Sequence, residues 1–399
     1  MSQTRRPETI AAAHGVAADA AFGAVTPPIV LSSTFAFAGY DRPRAHDYSR
    51  GANPTRELLA DAIAQLERGA AAIVLASGMA AVDLVLSRLR RDDLVIAPHD
   101  CYGGTYRLLA ARRERGHFDV AFVDQNDDDA LRAALARRPA LVLIETPSNP
   151  LMRVVDIRAL AAGAHAAGAK VAVDNTFLSP ALQRPITLGA DFVIHSTTKY
   201  LNGHSDVVGG AVVAADRAEA ETLAAWANTI GVTGSPFDSY LTLRGLRTLF
   251  PRLLQQQANA AAIARFLVGR AEVSAVHYPG LASHPGHAIA KAQQSGFGAM
   301  LSFELAGGAE AARRFVESVE VFAFAESLGG VESLVAHPAT MIHAGMGEEA
   351  RRAAGIDDGL LRLSVGLEAE ADLIAGLETG LAALGDPTPL TGAFDARSK

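Results

Sequence analysis

The sequence predicts an α/β fold with a mostly parallel central sheet, followed by a smaller α+β domain. Three observations predict it. Between residues 71 and 215, short apolar runs alternate with alanine- and leucine-rich helical stretches, the pattern of strands buried on both faces beneath covering helices. Beyond Gly269 the pattern changes to strands and helices in mixed order. The chain has 399 residues, more than one small core organises. The expected divisions are an extended N-terminal arm at 1–52, a large α/β domain at 53–256 and a C-terminal α+β domain at 257–399.

The arm shows little periodicity. In "GAVTPPIVLSSTFAF" (23–37), Pro27 and Pro28 bar a helix, and "YSRGANPT" (48–55) has turn chemistry. From Thr55, "TRELLADAIAQLERG" predicts a helix capped by that threonine and stopped by Gly69. Strands are expected at 71–78, 93–100, 119–126, 140–147, 170–176, 190–196 and 209–215. "SYLTLRGLRTLFPRLLQQQANAAAIARFLVGR" (239–270) predicts a long helix bent at Pro251. After it come strand-like "VSAVHYPG" and "GAMLSFEL", a helix near 309–319 and strand-like "LLRLSVGLE".

Hydrophobic residues make up 49 % and charged residues 20 % of the chain, as in soluble enzymes. A net charge of −7 offers no basic surface for nucleic acid. No apolar run is long enough for a membrane span. One cysteine, Cys101, excludes an intrachain disulfide and argues for a reducing compartment. Arg5 and Arg6 precede an alanine-rich stretch, but Glu8, His14 and Asp19 interrupt it, so a signal peptide is not expected. A cytoplasmic location fits these features.

Polar, reactive residues follow strand after strand: Ser77-Gly78-Met79, Asp100-Cys101-Tyr102, Glu145 to Asn149, Asp174-Asn175 and Ser196 to Lys199. In parallel sheets, ligands bind beyond these carboxyl ends. Lys199 is the most telling. It follows the apolar run Phe192 to Ile194, and a buried ammonium is costly unless paired, neutralised or covalently modified. A lysine there, among hydroxyls and facing an aspartate on another strand, suits a Schiff-base enzyme using pyridoxal 5'-phosphate. That cofactor needs a lysine for its aldehyde, a carboxylate at its ring nitrogen, anion donors for its phosphate and a flat partner for its ring. Lys199 supplies the first and Asp174 the second. Gly78 and Met79 open a helix, whose N–H groups and dipole attract anions, and Ser196 and Thr198 add hydroxyls. Tyr102 can stack on the ring. Each residue alone has a plainer reading: a loop lysine in water, an Asx-turn aspartate, a packing tyrosine, a common strand-to-helix turn. Their gathering at one sheet edge favours a site.

The motifs "YSRGANPTR", "SGMAA", "ETPSNP", "VDNTF", "STTKYLNGHS", "YLTLRGLRTL" and "ESLGGVESL" occur in this order along nearly the whole chain. On them the sequence resembles the cysteine/methionine-metabolism family of pyridoxal-phosphate enzymes, of aspartate-aminotransferase-like fold. "DCYGGTYR", "AHPATMIHAGM" and "QQSGFGAMLSFEL" resemble the family's bacterial γ-replacement members in particular. The resemblance implies that Tyr48 and Arg50 reach the phosphate in a neighbouring subunit, within a homotetramer built of two active dimers. It implies that Arg362 holds the substrate α-carboxylate in a bidentate fork, with Asn149 and Ser327 assisting. The implied reaction joins an activated homoserine ester, O-succinyl-L-homoserine, to L-cysteine. Lys199 would act as general base, with Tyr102 and Tyr48 handling protons. Arg107, on a helix expected to start near Gly104, is the candidate for the succinyl carboxylate, and Glu326 for the amino group of cysteine. γ-Elimination of cystathionine is the nearest alternative. Gly104 and Glu326 weigh against methionine cleavage and β-elimination, where family members resemble "YGC" and carry an aromatic residue respectively. A non-catalytic binding protein is the rival from another class, and the intact Lys199 and Asp174 weigh against it.

Other residues are expected to be structural. Cys101 has no base beside it and reads as a small buried residue. His284 and His287 lack partners for a metal set, so no metal is expected. Asp127 to Asp129 read as a helix cap.

Overall fold

The computed structural model describes residues 5–385. Residues 1–4 and 386–399, the ends of the expected arm and C-terminal domain, lie outside the described residues. Seven short strands form the large sheet: β1 (Ala71–Leu75), β2 (Leu94–Pro98), β3 (Asp119–Val123), β4 (Leu141–Glu145), β5 (Lys170–Asp174), β6 (Phe192–Ser196) and β7 (Gly210–Ala214). Their order is β1-β7-β6-β5-β4-β2-β3. β7 pairs antiparallel with both β6 and β1, whereas the pairings among β2 to β6 are parallel. The mostly parallel sheet is therefore as expected.

Side chains alternate between the sheet's two faces, and each face feeds a different core. Ile73, Phe192, Ile194 and Val212 pack with helix Gly78–Leu86 on one side. Val74, Val193 and Val213 pack on the other, with helix Pro54–Glu67 and the second sheet. The strands stop short of the predicted runs. The runs to 78, 100, 147 and 176 leave the ladder at Leu75, Pro98, Glu145 and Asp174. Of the residues beyond, Ser77, Gly78, Pro147 and Thr176 line the cavity described below, as do Glu145 and Asp174 at the strand ends.

The second sheet holds β8 (Val273–His277), β9 (Met300–Leu305), β10 (Ala323–Phe324), β11 (Leu334–Ala336) and β12 (Leu360–Ser364), in the order β10-β11-β12-β9-β8. β12 lies between β11 and β9, so Arg362 sits on an interior strand, opposite Ser302 on one side and Ala336 on the other.

Four local expectations change. The arm is not extended from its start. Pro7 opens a helix, Pro7–Ala13, whose Ile10 and Ala11 are buried in the core that holds Leu59; proline fits a first turn, where its missing N–H is not needed. The cap of helix Pro54–Glu67 is Asn53, which accepts from the N–H groups of Thr55 and Arg56. Thr55 instead accepts the Val30 N–H at 2.9 Å. Arg68, in the left-handed region, ends the helix ahead of Gly69. The long helix is two helices, Pro236–Leu246 and Leu249–Val268, rather than one bent at Pro251. A proline ring clashes with the carbonyl four residues earlier, here Arg247, so the break falls at Arg247-Thr248 and Pro251 occupies the next helix's first turn. Asp127 does cap helix Asp128–Leu135, and Cys101 is fully buried.

Candidate active site

The carboxyl ends of β1, β2, β4, β5 and β6 surround a cavity of about 300 Å³, closed by Glu326, Ser327 and Arg362 from the second sheet's side. That volume suits a small cofactor with an amino-acid substrate. Lys199 lies where the two sides meet. Its ammonium Nζ donates to Ser327 Oγ at 2.8 Å. Burial, then the Arg362 cation, lowers its pKa to about 8, so a useful fraction is a neutral nucleophile near neutral pH. The chain has four lysines: Lys170, Lys199, Lys291 and Lys399. Lys170 pairs with Asp191 at 2.9 Å, and Lys291 is exposed. Ser327 holds φ +87, a region costly for a residue with a Cβ. Its hydroxyl and carbonyl are both engaged there, the carbonyl by Arg362 Nη2 at 2.7 Å.

Arg362 is 2 % exposed. Nη1 donates to Asn149 Oδ1 at 3.0 Å, and Nε has no partner among the described residues. A buried guanidinium with a donor to spare beside an open cavity suits a carboxylate. Burial pushes its pKa down to about 10. His343 lies in the same electropositive corner. Burial, then the Arg362 and further Arg107 and Arg351 cations, lowers its pKa to about 3 and keeps it neutral.

Asp174 ends β5. The Thr176 N–H donates to its Oδ1 at 3.0 Å, which is the Asx turn that spacing alone allows. Both readings of Asp174 thus hold together, because one oxygen makes the turn while the residue lines the cavity. Burial raises its pKa, and hydrogen bonds from Thr176 and the charge of His195 oppose this. A half-buried carboxyl whose pKa burial raises fits a ligand that brings a protonated nitrogen.

Ser77 caps helix Gly78–Leu86 through the Ala80 N–H at 3.1 Å. The N–H groups of Gly78 and Met79 then point ahead of the helix as free donors. A Cβ on Gly78 would stand 2.8 Å from Ser196 Cβ, so only glycine lets this turn approach β6 so closely. Ser196 and Thr198 both line the cavity. The Thr198 hydroxyl donates to Gly209 O at 3.2 Å and accepts the Gly209 N–H at 3.0 Å, so its hydrogen is already engaged. Tyr102 lines the cavity, and a Cβ on Gly104 would meet its ring at 2.5 Å. Gly104 thus makes room for the ring. These residues fit pyridoxal phosphate by the chemistry of their groups: an amine of lowered basicity, a half-buried carboxyl, helix N–H donors and an aromatic face.

Three expected residues are not brought to the cavity within one chain. Tyr48 is half exposed, and Arg50 donates to Asn228 O at 2.7 Å and lies over the Tyr48 ring at 5.5 Å. Arg107 is exposed on helix Gly103–Glu114, its guanidinium beside Gly345. Sequence reasoning missed Thr176, which also accepts the Ser196 N–H at 2.9 Å and so ties β5 to β6. A hydroxyl two residues past an aspartate was the available signal.

Residues 8–382 match the family of Cys/Met metabolism PLP-dependent enzymes. The cystathionine gamma-synthase of Escherichia coli (strain K12) is 57 % identical over 381 residues, covering 95 % of this chain and 99 % of that protein. The crystal structure of cystathionine gamma synthase from Xanthomonas oryzae pv. oryzae, in complex with aminoacrylate and cysteine, is 56 % identical with a TM-score of 0.94, covering 95 % of this chain and 98 % of the other. A cystathionine gamma-lyase from Lactobacillus plantarum, complexed with L-serine, is 41 % identical with a TM-score of 0.92, over 95 % and 99 % of the two chains. The chain belongs to the Cys/Met-metabolism family of pyridoxal-phosphate-dependent enzymes.

Proposed function

We propose that this enzyme is a cystathionine γ-synthase, which condenses O-succinyl-L-homoserine, or another activated homoserine ester, with L-cysteine to give L-cystathionine. The observation that carries the reaction over its rivals is the 57 % identity to a γ-synthase, spanning 99 % of that protein, against 43 % to a γ-lyase and 46 % to a β-lyase.

Bound pyridoxal phosphate supplies an electron sink for negative charge at the carbon beside the substrate's amino group. The chain's residues do the rest. Gly78 and Met79 N–H groups, with Ser196, would hold the phosphate, Asp174 would hold the ring nitrogen, and Tyr102 would cover the ring. Arg362, with Asn149 and Ser327 keeping it oriented, binds the α-carboxylate and fixes the substrate's Cα near Lys199. The Lys199 amine takes the proton from Cα, a task suited to an amine of lowered basicity. A second proton is taken from Cβ, and the acyl carboxylate leaves from Cγ with the electron pair of its C–O bond. The cysteine thiolate, its proton given up to a base, forms the new C–S bond there, and protons return to Cβ and Cα. Glu326 receives the amino group of cysteine. Arg107 is the candidate for the succinyl carboxylate, because it flanks the electropositive corner at His343.

The same reading extends to assembly and location. Tyr48 and Arg50 complete the phosphate site of a neighbouring subunit in a homotetramer of two active dimers. The arm supports this, since Phe22, Leu31 and Tyr40 expose apolar surface suited to a second copy. We place the enzyme in the cytoplasm, where its one free thiol suits reducing conditions.

The test supplies O-succinyl-, O-acetyl- and O-phosphohomoserine with L-cysteine and identifies products by mass. Cystathionine from the succinyl ester, formed faster than cystathionine is cleaved, supports the reading. Faster cleavage moves the assignment to a γ-lyase.

A further inference from the structure

Of the three carboxyls that line the cavity, Glu145 has no part in the steps above. It ends β4, in register with Asp174 of β5, and is buried. Its Oε2 accepts the backbone N–H of Tyr102 at 2.8 Å, and its Oε1 accepts the backbone N–H of Asn149 at 3.0 Å. These two residues belong to different walls. Tyr102 follows β2 and covers the ring position. Asn149 carries the oxygen that meets Arg362 Nη1 at 3.0 Å. Neither N–H belongs to a strand or helix ladder, since Tyr102 precedes the first turn of helix Gly103–Glu114 and Asn149 lies in the loop after β4. Without Glu145, two buried or half-buried donors would lose their acceptors.

The geometry points to Glu145 as a positioning residue that ties the ring wall at Tyr102 to the carboxylate clamp at Arg362. It acts through two backbone amides and rests on the roles just given to Tyr102 and Arg362. A glutamine in its place keeps one accepting oxygen and turns an NH₂ group toward the other amide. Each molecule of that variant therefore loses one of the two anchors.

Hydrogen exchange on the cofactor-free protein tests the tie without turnover. In the wild type, the Tyr102 and Asn149 amides should exchange about a hundredfold more slowly than in an unstructured chain, and in Glu145→Gln about tenfold faster than in the wild type. In the holoenzyme, circular dichroism of the bound-cofactor band should fall by about half as the Tyr102 contact loosens, and KM for the homoserine ester should rise about tenfold with a smaller change in kcat. Glu145→Gln that lowers only the melting temperature, leaving exchange, dichroism and KM unchanged, overturns the proposal. So does a wild type whose two amides exchange at the unstructured rate, a result readable even if the variant fails to fold. Failure of the synthase reading would appear instead as different products, with the exchange pattern intact.

Discussion

The two walls of the cavity are built in opposite ways. The wall from the large sheet uses strand ends. The last residues of the strands and the few that follow offer a backbone N–H, a hydroxyl or a carboxyl, as at Gly78, Ser196 and Asp174. The wall from the second sheet uses a strand interior. Arg362 lies in the middle of β12, and its cation is held by Asn149 and Ser327 rather than by a carboxylate. The first wall offers groups suited to an anion and a flat ring, which any turn chemistry of this kind can make. The second places a charge where none is comfortable, and needs the rest of the fold to hold it. The difference suits their proposed roles, since one keeps a resident cofactor and the other takes and releases a substrate.

The sharpest way to break this comparison is at the junction. Lys199→Ala should lower turnover by about a thousandfold or more and abolish the visible cofactor band, while far-ultraviolet dichroism stays close to wild type. Retention of a tenth of the activity would mean that Lys199 does not hold the cofactor.

Next comes the cofactor wall. Asp174→Asn keeps the shape and removes the charge, which should weaken cofactor binding by about 1.5 to 3 kcal/mol. Turnover should fall further, by about a hundredfold or more, because the ring then withdraws charge less well. Equilibrium dialysis of cofactor and steady-state rates check both effects. Normal affinity with normal rates would remove Asp174 from this wall.

The substrate wall should respond differently. Arg362→Lys keeps a cation but loses the planar fork, and should raise KM for the amino-acid substrate about ten- to a hundredfold. The cofactor band should remain. Loss of the band together with KM would show that the two walls are not separable in this way.

The smallest effect concerns stability. Lys199 has a folded pKa of about 8 against an ordinary 10.5. The unfolded state then binds more protons between these values, so this group's contribution to stability rises with pH across that window. Below about pH 8 the penalty approaches 3 kcal/mol at most, less whatever solvation the amine retains. In the cofactor-free protein, Lys199→Met should therefore melt higher than wild type at pH 7, and the gap should close as pH approaches 10.5. Equal melting curves at pH 7 would mean that the ammonium is not strained by its setting.

Much of the cofactor wall was legible in the sequence, because strand ends are local. An apolar run followed by a glycine, an aspartate or a lysine announces itself within a few residues. The substrate wall was legible only through the strand-like run "LLRLSVGLE" and through resemblance, since Arg362, Asn149 and Ser327 meet from distant parts of the chain. The tether from Lys199 to Ser327 had no local signal at all. Neither did the two bonds of Glu145, because an acceptor for backbone N–H groups leaves no spacing to read. Local competition explains other differences. Asn53 outcompeted Thr55 as a cap once Pro54 took the first helical position, and Pro251 broke the helix upstream of itself through the carbonyl of Arg247.

Lys199 joins the two walls through Ser327 and, in its proposed role, holds the cofactor. Borohydride reduction of the holoenzyme, followed by peptide mass mapping, tests it directly, since only four lysines can carry the label. The expected result is a single reduced adduct on Lys199. An adduct on Lys170, Lys291 or Lys399 instead, or no adduct on any lysine, would contradict it.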